Sequence, residues 1–194
     1  MNRRATVSRK TRETSVEITL DLDGTGETSV ETGVGMFDHL LTSLAHHAMI
    51  DLVVRTEGDL HIDEHHTVED TALVLGSAID EALADRSGIT RFASATVPMD
   101  EAVATCVIDA GGRPYAVLDL LFNGDRIGTL GTQMIPHALE SLIRTSQSTV
   151  HLSAHGRNDH HIAEAAFKAY GIALRSAAAL DPRRQGVPST KGIL

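Results

Sequence analysis

One seven-residue motif occurs twice in this chain, at residues 63–69 (DEHHTVE) and again at 158–164 (NDHHIAE). Each copy places a residue suited to capping a helix, Asp63 or Asn158, before a His-His-x-x-Glu run that continues into apolar residues at helical spacing. The histidines and the glutamate are therefore predicted to lie in the first turn of a helix. A duplicated motif of this kind indicates that the chain is built from two similar halves.

Side-chain directions on a helix decide how each motif can bind a metal. Residues three or four positions apart share a helix face, so the glutamate of each motif can join either of its two histidines. Adjacent histidines point about 100° apart, which predicts that the two rings of one pair bind different ions. Each motif is therefore predicted to contribute to two metal sites. The residues concerned are His65, His66 and Glu69 in the first copy and His160, His161 and Glu164 in the second.

The secondary structure predicted from apolar periodicity is the same in both halves. In the first half it comprises strands at 5–10, 15–22 and 27–32, a helix at 36–45, a strand at 50–56 and a helix at 64–85. In the second half it comprises strands at 90–97, 101–109 and 114–121, a helix at 133–145, a strand at 149–154 and a helix at 159–180. The predicted fold class is α+β, with a first unit at 1–87, a second unit at 88–180 and a tail at 181–194.

Matching the two halves adds a third histidine to each motif. Residues 36–41 (MFDHLL) align with residues 134–139 (MIPHAL), and this alignment places His39 over His137. A histidine that occurs once is better explained by core packing. A histidine at the same place in two half-chains is better explained by metal binding. The complete set offers three nitrogens and one carboxylate to each of two ions. It contains no thiolate, and it suits Mn, Fe, Co, Ni or Zn without choosing between them.

Composition narrows the remaining function classes. The chain has 194 residues, of which 42% are hydrophobic, and its net charge of -9 argues against a nucleic-acid-binding surface. There is no run of about 18 apolar residues for a membrane span and no apolar segment typical of a signal peptide. The single cysteine, Cys106, occurs in an alternating apolar run and is predicted to be buried. These features predict a cytoplasmic protein that binds neither nucleic acid nor a membrane.

Several cations occur beside glycine or hydroxyl residues, as they do in phosphate-binding sites. These are Arg91, Arg113 and Lys191, the last of which follows Ser189 and Thr190 in the tail. Guanidinium forks, an ammonium group and hydroxyls can bind phosphate with little steric hindrance beside glycine. Each cation taken alone is better explained as a solvated surface charge. A tail that is poor in apolar residues would become ordered on a ligand or on a neighbouring subunit.

The ordered motifs together resemble those of the imidazoleglycerol-phosphate dehydratase family of histidine biosynthesis, and the resemblance covers nearly the whole chain. The segments that carry it are RET at 12–14, MFDHLL at 36–41, GDLHIDEHHTVED at 58–70, DRSGITRF at 85–92, VPMDEA at 97–102, GRP at 112–114, NDHHIAEAAFKA at 158–169 and PSTKG at 188–192. Ser43, Ala138 and Leu139 depart from the residues common in the family, and these departures concern local packing.

The resemblance implies a fold and an assembly. Each half would be a β3-αβα unit similar to the second domain of ribosomal protein S5, with its sheet packed against helices. The ligands would bind two Mn²⁺ ions per active site at the subunit interfaces of a homo-oligomer, expected to be a 24-mer of cubic symmetry. The implied metal ligands are His39, His65, His66, Glu69, His137, His160, His161 and Glu164.

The resemblance also implies the reaction, a metal-dependent elimination of water from imidazole glycerol phosphate that gives imidazole acetol phosphate. Glu13 is the implied base, Asp100 is a weaker second candidate, and His47 is expected to contact the substrate. Without the resemblance, Glu13 would be better explained as a surface carboxylate beside a strand. The substrate phosphate would bind Arg91, Arg113, Ser189, Thr190 and Lys191.

Two other functions are compatible with the metal ligands alone. A metal-storage or metal-sensing protein could use the same histidines and glutamates without turnover, but it would not require Glu13, the paired arginines or the tail. A metallohydrolase that acts on another phosphorylated metabolite is the closer enzymatic alternative.

Overall fold

The structure is a computed structural model that describes residues 3–193. Residues 1–2 and 194, at the ends of the predicted first unit and of the predicted tail, lie outside the described residues. The helices and strands follow one another in the predicted order with one addition, and the bounds of the helices agree with the predicted bounds within about three residues.

The first half forms a four-stranded sheet with two helices. Its elements are β1 (Arg4–Lys10), β2 (Thr14–Asp21), β3 (Thr28–Glu31), α1 (Gly35–Ala48), β4 (Asp51–Gly58) and α2 (His65–Leu83). The strand order is β1-β2-β4-β3, in which β3 and β4 are parallel and the other neighbours are antiparallel. Alternation along β2 buries Val16, Ile18 and Leu20 and exposes Ser15 and Glu17, so only one face of the sheet joins the core.

The second half repeats this arrangement. Its elements are β5 (Phe92–Met99), β6 (Ala102–Asp109), β7 (Tyr115–Leu120), α3 (Met134–Thr145), β10 (Thr149–His155) and α4 (Asp159–Ala178). The strand order β5-β6-β10-β7 matches that of the first sheet, again with one parallel pair, β7 and β10. Cys106 in β6 is fully buried, as predicted, and burial raises the pKa of its thiol to about 12. The predicted α+β fold of two similar β3-αβα units is confirmed.

The helices pack on the sheets and against helices of the other half. α2 packs on β1 and β2 and against α3, whereas α4 packs on β5 and β6 and against α1. At the contact between α1 and α4, a Cβ atom at Gly171 would lie 2.5 Å from the carbonyl oxygen of Leu44, so glycine allows the two helices to approach closely. Because each of these pairs joins one helix from each half, residues near the helix N-termini come together across the halves.

The halves differ most in the connection between their third strand and their first helix. Residues 32–34 make this connection in the first half, whereas residues 121–133 make it in the second half. The longer connection contains a short hairpin of β8 (Arg126–Ile127) and β9 (Leu130–Gly131), which the sequence-based assignment missed because strands of two residues carry no periodicity. We call residues 121–133 the strap.

Candidate metal and substrate site

The first turns of α2 and α4 present the two His-His pairs in the same way. Asn158 caps α4, and its Oδ1 atom accepts a hydrogen bond from the backbone N–H of His160 at 3.0 Å. Asp63 does the same in the first half, because its Oδ1 atom accepts from the N–H of His65 at 2.8 Å, although Glu64 is the residue directly before α2. Both motifs therefore begin a helix with equivalent geometry.

Six of the eight predicted metal ligands form two clusters, each drawn from both halves. Cluster A consists of His65 and Glu69 of α2 and His137 of α3. Cluster B consists of His160 and Glu164 of α4 and His39 of α1. In each cluster the three ligand atoms lie within 4.8 Å of one another. Neither half of the chain contains a complete cluster.

Glu164 is the centre of cluster B. Its Oε2 atom lies 3.0 Å from Nε2 of His39 and 3.0 Å from Nε2 of His160, and its Oε1 atom lies 2.7 Å from Nζ of Lys168. Burial alone would raise the pKa of Glu164, but hydrogen bonds from Lys168 and His39 lower that pKa to about 2. The carboxylate is therefore charged at neutral pH. Nothing in the sequence singled out Lys168, since a lysine on an amphipathic helix is normally solvated.

Cluster A is looser than cluster B. Both histidines lie 3.7 Å from the carboxylate of Glu69, His65 from Oε2 and His137 from Oε1, and their ring centroids are 4.8 Å apart. The Nε2 atom of His137 is buried without a hydrogen-bond partner, which costs free energy in the absence of another ligand. The arrangement suits a cation between the three side chains.

The two remaining predicted ligands, His66 and His161, lie outside both clusters, and we call them the outer histidines. The ring of His66 is inclined by 80° to that of His65, and the ring of His161 by 87° to that of His160. This divergence is what the helical geometry predicts for adjacent histidines. One ring of each pair thus joins a cluster within the chain, and the other does not.

The two carboxylates predicted for catalysis occupy equivalent turns of the two halves. Asp100 is in the β5–β6 turn, and its Oδ2 atom is 3.9 Å from Nε2 of His161. Glu13 is in the equivalent β1–β2 turn. The pKa of His66 is raised, mainly by a hydrogen bond to Asp59, and the negative charge of Glu13 adds a smaller increase.

His47, near the end of α1, lies on the side of cluster B. Burial lowers the pKa of His47, the nearby ammonium group of Lys168 lowers it further, and the charge of Glu164 opposes these effects. The imidazole is therefore biased toward the neutral form, in which it can both donate and accept a hydrogen bond.

All five residues predicted to bind phosphate line one pocket of about 460 Å³. The pocket is open between the start of β5 and the tail, and Phe92 contributes an apolar wall. The residues that the structure brings together there are Arg91, Arg113, Ser189, Thr190 and Lys191.

The two arginines of this pocket differ in their contacts and in their exposure. Arg91 donates to both carboxylate oxygens of Asp109, at 2.6 and 3.1 Å, and to the carbonyl oxygen of Pro188 at 2.8 Å, so it also ties down the tail. Its backbone has a φ of 76°, a left-handed conformation that is strained for a residue other than glycine. The side chain of Arg113 is 77% exposed and can reach toward a ligand. Arg91 is therefore the hydrogen-bonded cation of the pocket and Arg113 the exposed one.

The donor set of both clusters fits a divalent transition-metal ion. Neutral imidazole nitrogens combined with carboxylate oxygens, without thiolates, suit Mn, Fe, Co, Ni or Zn. Across residues 3–193, no helix combines the length and the apolar character needed to cross a membrane.

Comparison with known sequences identifies close relatives over the full length of the chain. The sequence model of the family described as imidazoleglycerol-phosphate dehydratase matches residues 32–174. The imidazoleglycerol-phosphate dehydratase of Acidiphilium cryptum (strain JF-5) is 53% identical over 196 residues, and the alignment covers 100% of both chains. That of Methanococcoides burtonii is 49% identical over 192 residues, covering 99% of this chain and 100% of the relative.

Solved structures show the same fold. Imidazoleglycerol-phosphate dehydratase from Staphylococcus aureus superposes with a TM-score of 0.83 at 28% identity, covering 92% of this chain and 99% of that one. IGPD from Pyrococcus furiosus in complex with (S)-C348 superposes with a TM-score of 0.83 at 32% identity, covering 97% and 100% of the two chains.

Proposed function

This chain belongs to the imidazoleglycerol-phosphate dehydratase family, and we propose that it carries out the family's reaction with two Mn²⁺ ions in each active site. It is a hydro-lyase of histidine biosynthesis that removes water from imidazole glycerol phosphate. The observation that carries the metal proposal is the pair of His-His-Glu clusters, each built across the two halves. The choice of Mn²⁺ rests on the family resemblance, because these ligands suit several metals.

The proposed sites are completed by assembly. Each cluster has three ligands within one chain, while His66 and His161 lie outside the clusters and remain available to a neighbouring chain. A neighbouring chain would then supply the next ligand to each ion with one of its own outer histidines. The homo-oligomer that the family resemblance implies, a 24-mer of cubic symmetry, is part of this proposal. The cytoplasmic location expected from the sequence stays a prediction.

The pocket lined by Arg91 and Arg113 would bind the substrate phosphate. Arg91 is already held by two hydrogen bonds to Asp109, so it can direct a phosphate without losing much side-chain entropy, while Arg113 and Lys191 add exposed positive charge. Ser189 and the tail would close over the phosphate. Binding at this remote group would orient the imidazole ring toward the metal ligands.

Glu13 is the proposed catalytic base. The histidines and glutamates of clusters A and B would hold the metal ions, whose positive charge would favour the deprotonated form of the imidazole ring and hence loss of the hydroxyl group from the adjacent carbon. A carboxylate oxygen of Glu13 would accept the proton from the next carbon, and the resulting enol would convert to the ketone. Hydroxyl and proton together make up the water that is lost. Asp100 is the second candidate for this base, and His47 would contact the substrate from the side of cluster B.

The proposal is tested by following the conversion of imidazole glycerol phosphate to imidazole acetol phosphate, which is measured as enol absorbance in alkali. Metal-stripped protein is expected to be inactive, and added Mn²⁺ is expected to restore turnover, with Zn²⁺ and Co²⁺ as parallel additions. Turnover by fully metal-stripped protein would contradict the metal role. Tight Mn²⁺ binding without turnover would favour the metal-storage or metal-sensing function instead.

A further inference from the structure

Each outer histidine donates one ring N–H to a carboxylate that belongs to neither cluster. The Nδ1 atom of His66 lies 2.9 Å from Oδ2 of Asp59, which directly follows β4. The Nδ1 atom of His161 lies 2.8 Å from Oε2 of Glu101, which lies in the β5–β6 turn. Both are within the normal range for a charge-assisted hydrogen bond.

These two carboxylates are themselves held in place. The side chains of Asp59 and Glu101 are only 12% and 21% exposed. The Oε1 atom of Glu101 also accepts hydrogen bonds from the backbone N–H groups of Arg157 at 3.1 Å and Asn158 at 2.7 Å. Glu101 therefore joins the cap of α4 to the ring of His161, which makes the ring part of a fixed network.

A hydrogen bond at Nδ1 decides which nitrogen of an imidazole can bind a cation. A neutral ring carries one proton, and a carboxylate that accepts it from Nδ1 leaves the lone pair on Nε2. The negative charge also makes Nε2 a stronger ligand. In clusters A and B the histidines face the glutamates through Nε2, so Nε2 is the nitrogen directed at the metal position there as well.

The two carboxylates come from different places in the two halves. The residues between β10 and the Asn158 cap, Gly156 and Arg157, carry no carboxylate, and Glu13, which directly precedes β2 as Glu101 directly precedes β6, makes no hydrogen bond to His66 within the described residues. Simple inheritance from a duplicated half would have placed both carboxylates at the same position. Carboxylates from two different positions thus make the same hydrogen bond to Nδ1 of an outer histidine. This indicates that the orientation of these rings is required for their function.

We propose that Asp59 and Glu101 are positioning residues that fix the tautomer and the orientation of His66 and His161, so that each presents Nε2 to a metal ion. The inference rests on the proposed function, in which each outer histidine completes a metal site whose other ligands belong to a neighbouring chain. The two carboxylates would act through the histidines and would touch neither the substrate nor the metal.

The test compares substitutions that remove the acceptor with substitutions that keep it. Asp59→Ala and Glu101→Ala remove the acceptor, whereas Asp59→Asn and Glu101→Gln keep an amide oxygen that can still accept from Nδ1 but carries no charge. Asp119→Ala is the matched control, since Asp119 lies 3.8 Å from His155 in an exposed pair that contains no predicted ligand. Each metal-stripped variant is titrated with Mn²⁺ by calorimetry, and its assembly is followed by analytical ultracentrifugation.

The alanine variants are expected to bind Mn²⁺ about 10–100-fold more weakly than the unmodified chain and to assemble only at correspondingly higher Mn²⁺ concentration. The amide variants are expected to lose less, and Asp119→Ala is expected to lose nothing. Unchanged Mn²⁺ affinity in folded alanine variants would overturn the inference. Where an alanine variant fails to fold by circular dichroism, unchanged affinity in the amide variant would overturn it. An unmodified chain that binds no Mn²⁺ would overturn the proposed function as well, which distinguishes the two failures.

Discussion

Clusters A and B contain the same residue types at equivalent positions, but the charges around them differ. In cluster B, Glu164 lies 3.0 Å from both histidines and contacts the ammonium group of Lys168. In cluster A, Glu69 lies 3.7 Å from its histidines, and the residue equivalent to Lys168 is Leu73. The fixed lysine gives cluster B a carboxylate that is already paired before metal binds. The ligands were therefore kept in both halves while their surroundings diverged.

The outer histidines extend this comparison. The two halves have equivalent turns beside these rings, one carrying Glu13 and the other carrying Asp100, whose side chain is 82% accessible. A single catalytic base requires that the two turns differ in function even though they are equivalent in fold. The halves thus differ not only in the strap but also in the residues that would handle charge and protons.

The largest expected effect comes from removing one ligand of either cluster. His65→Ala and His160→Ala are each expected to lose about half of the bound Mn²⁺, to abolish turnover and to weaken the assembly, because each histidine belongs to only one cluster. Metal content is measured by mass spectrometry of the desalted protein, and assembly by native mass spectrometry. An intact, metal-free oligomer would show that the ions do not bridge subunits.

The next largest expected effect, a loss of turnover, distinguishes the β1–β2 turn with Glu13 from the β5–β6 turn with Asp100. Glu13→Gln is expected to lower turnover by roughly 10²–10⁴-fold, the usual contribution of a general base, with little change in Mn²⁺ content or in the KM for the substrate. Asp100→Asn is expected to lower turnover less. Metal content and KM serve as the controls in both variants. If Asp100→Asn showed the larger loss, the base would be Asp100 and the comparison between the turns would be reversed.

A reciprocal exchange tests the difference between the clusters directly. Lys168→Leu is expected to raise the Mn²⁺ affinity of cluster B, since an ammonium group near the ligands opposes a cation by about 1 kcal/mol, or roughly fivefold in affinity. Leu73→Lys is expected to lower the affinity of cluster A by a similar factor. Both are measured by Mn²⁺ titration of metal-stripped protein. Affinity changes of the same sign in the two variants would rule out the electrostatic explanation.

The smallest effect concerns the strap, which only the second half possesses. Asp159, directly before His160, accepts hydrogen bonds from the backbone N–H groups of Asn123 at 2.8 Å and Gly124 at 2.7 Å, and Glu64, directly before His65, accepts from Gly131 at 2.9 Å. The residues that precede the two His-His pairs thus hold the two ends of one segment.

Asp159→Asn and Glu64→Gln are each expected to lower the free energy of unfolding of the metal-free chain by about 1 kcal/mol, which corresponds to 2–4 °C in Tm for a chain of this size. Asp125→Asn, at an exposed residue within the strap, is the control and should leave Tm unchanged. Differential scanning calorimetry measures all three variants. An equal shift in the control would mean that the strap responds to any loss of charge.

Much of this arrangement could be predicted from the sequence because the same residue types recur at equivalent positions in the two halves, and each copy supports the interpretation of the other. Amphipathic spacing located α2 and α4, and matching the halves identified His39 and His137, which neither half would have revealed alone. Residues whose importance arises only from tertiary contacts could not be found in this way. Lys168 has no charged counterpart in the first half, and Glu101 is a turn residue whose partner the sequence does not reveal. Only the folded chain shows that Lys168 pairs with Glu164 and Glu101 with His161.

Drawing each cluster from both halves has a consequence for the biosynthesis of the protein. While the chain is being synthesised, α2 presents His65 and Glu69 before His137 exists, and α1 presents His39 long before α4. A newly made first half therefore contains neither cluster in complete form. In the proposed sites, a metal ion would meet all three side chains of a cluster only after the second half has been made and has packed against the first.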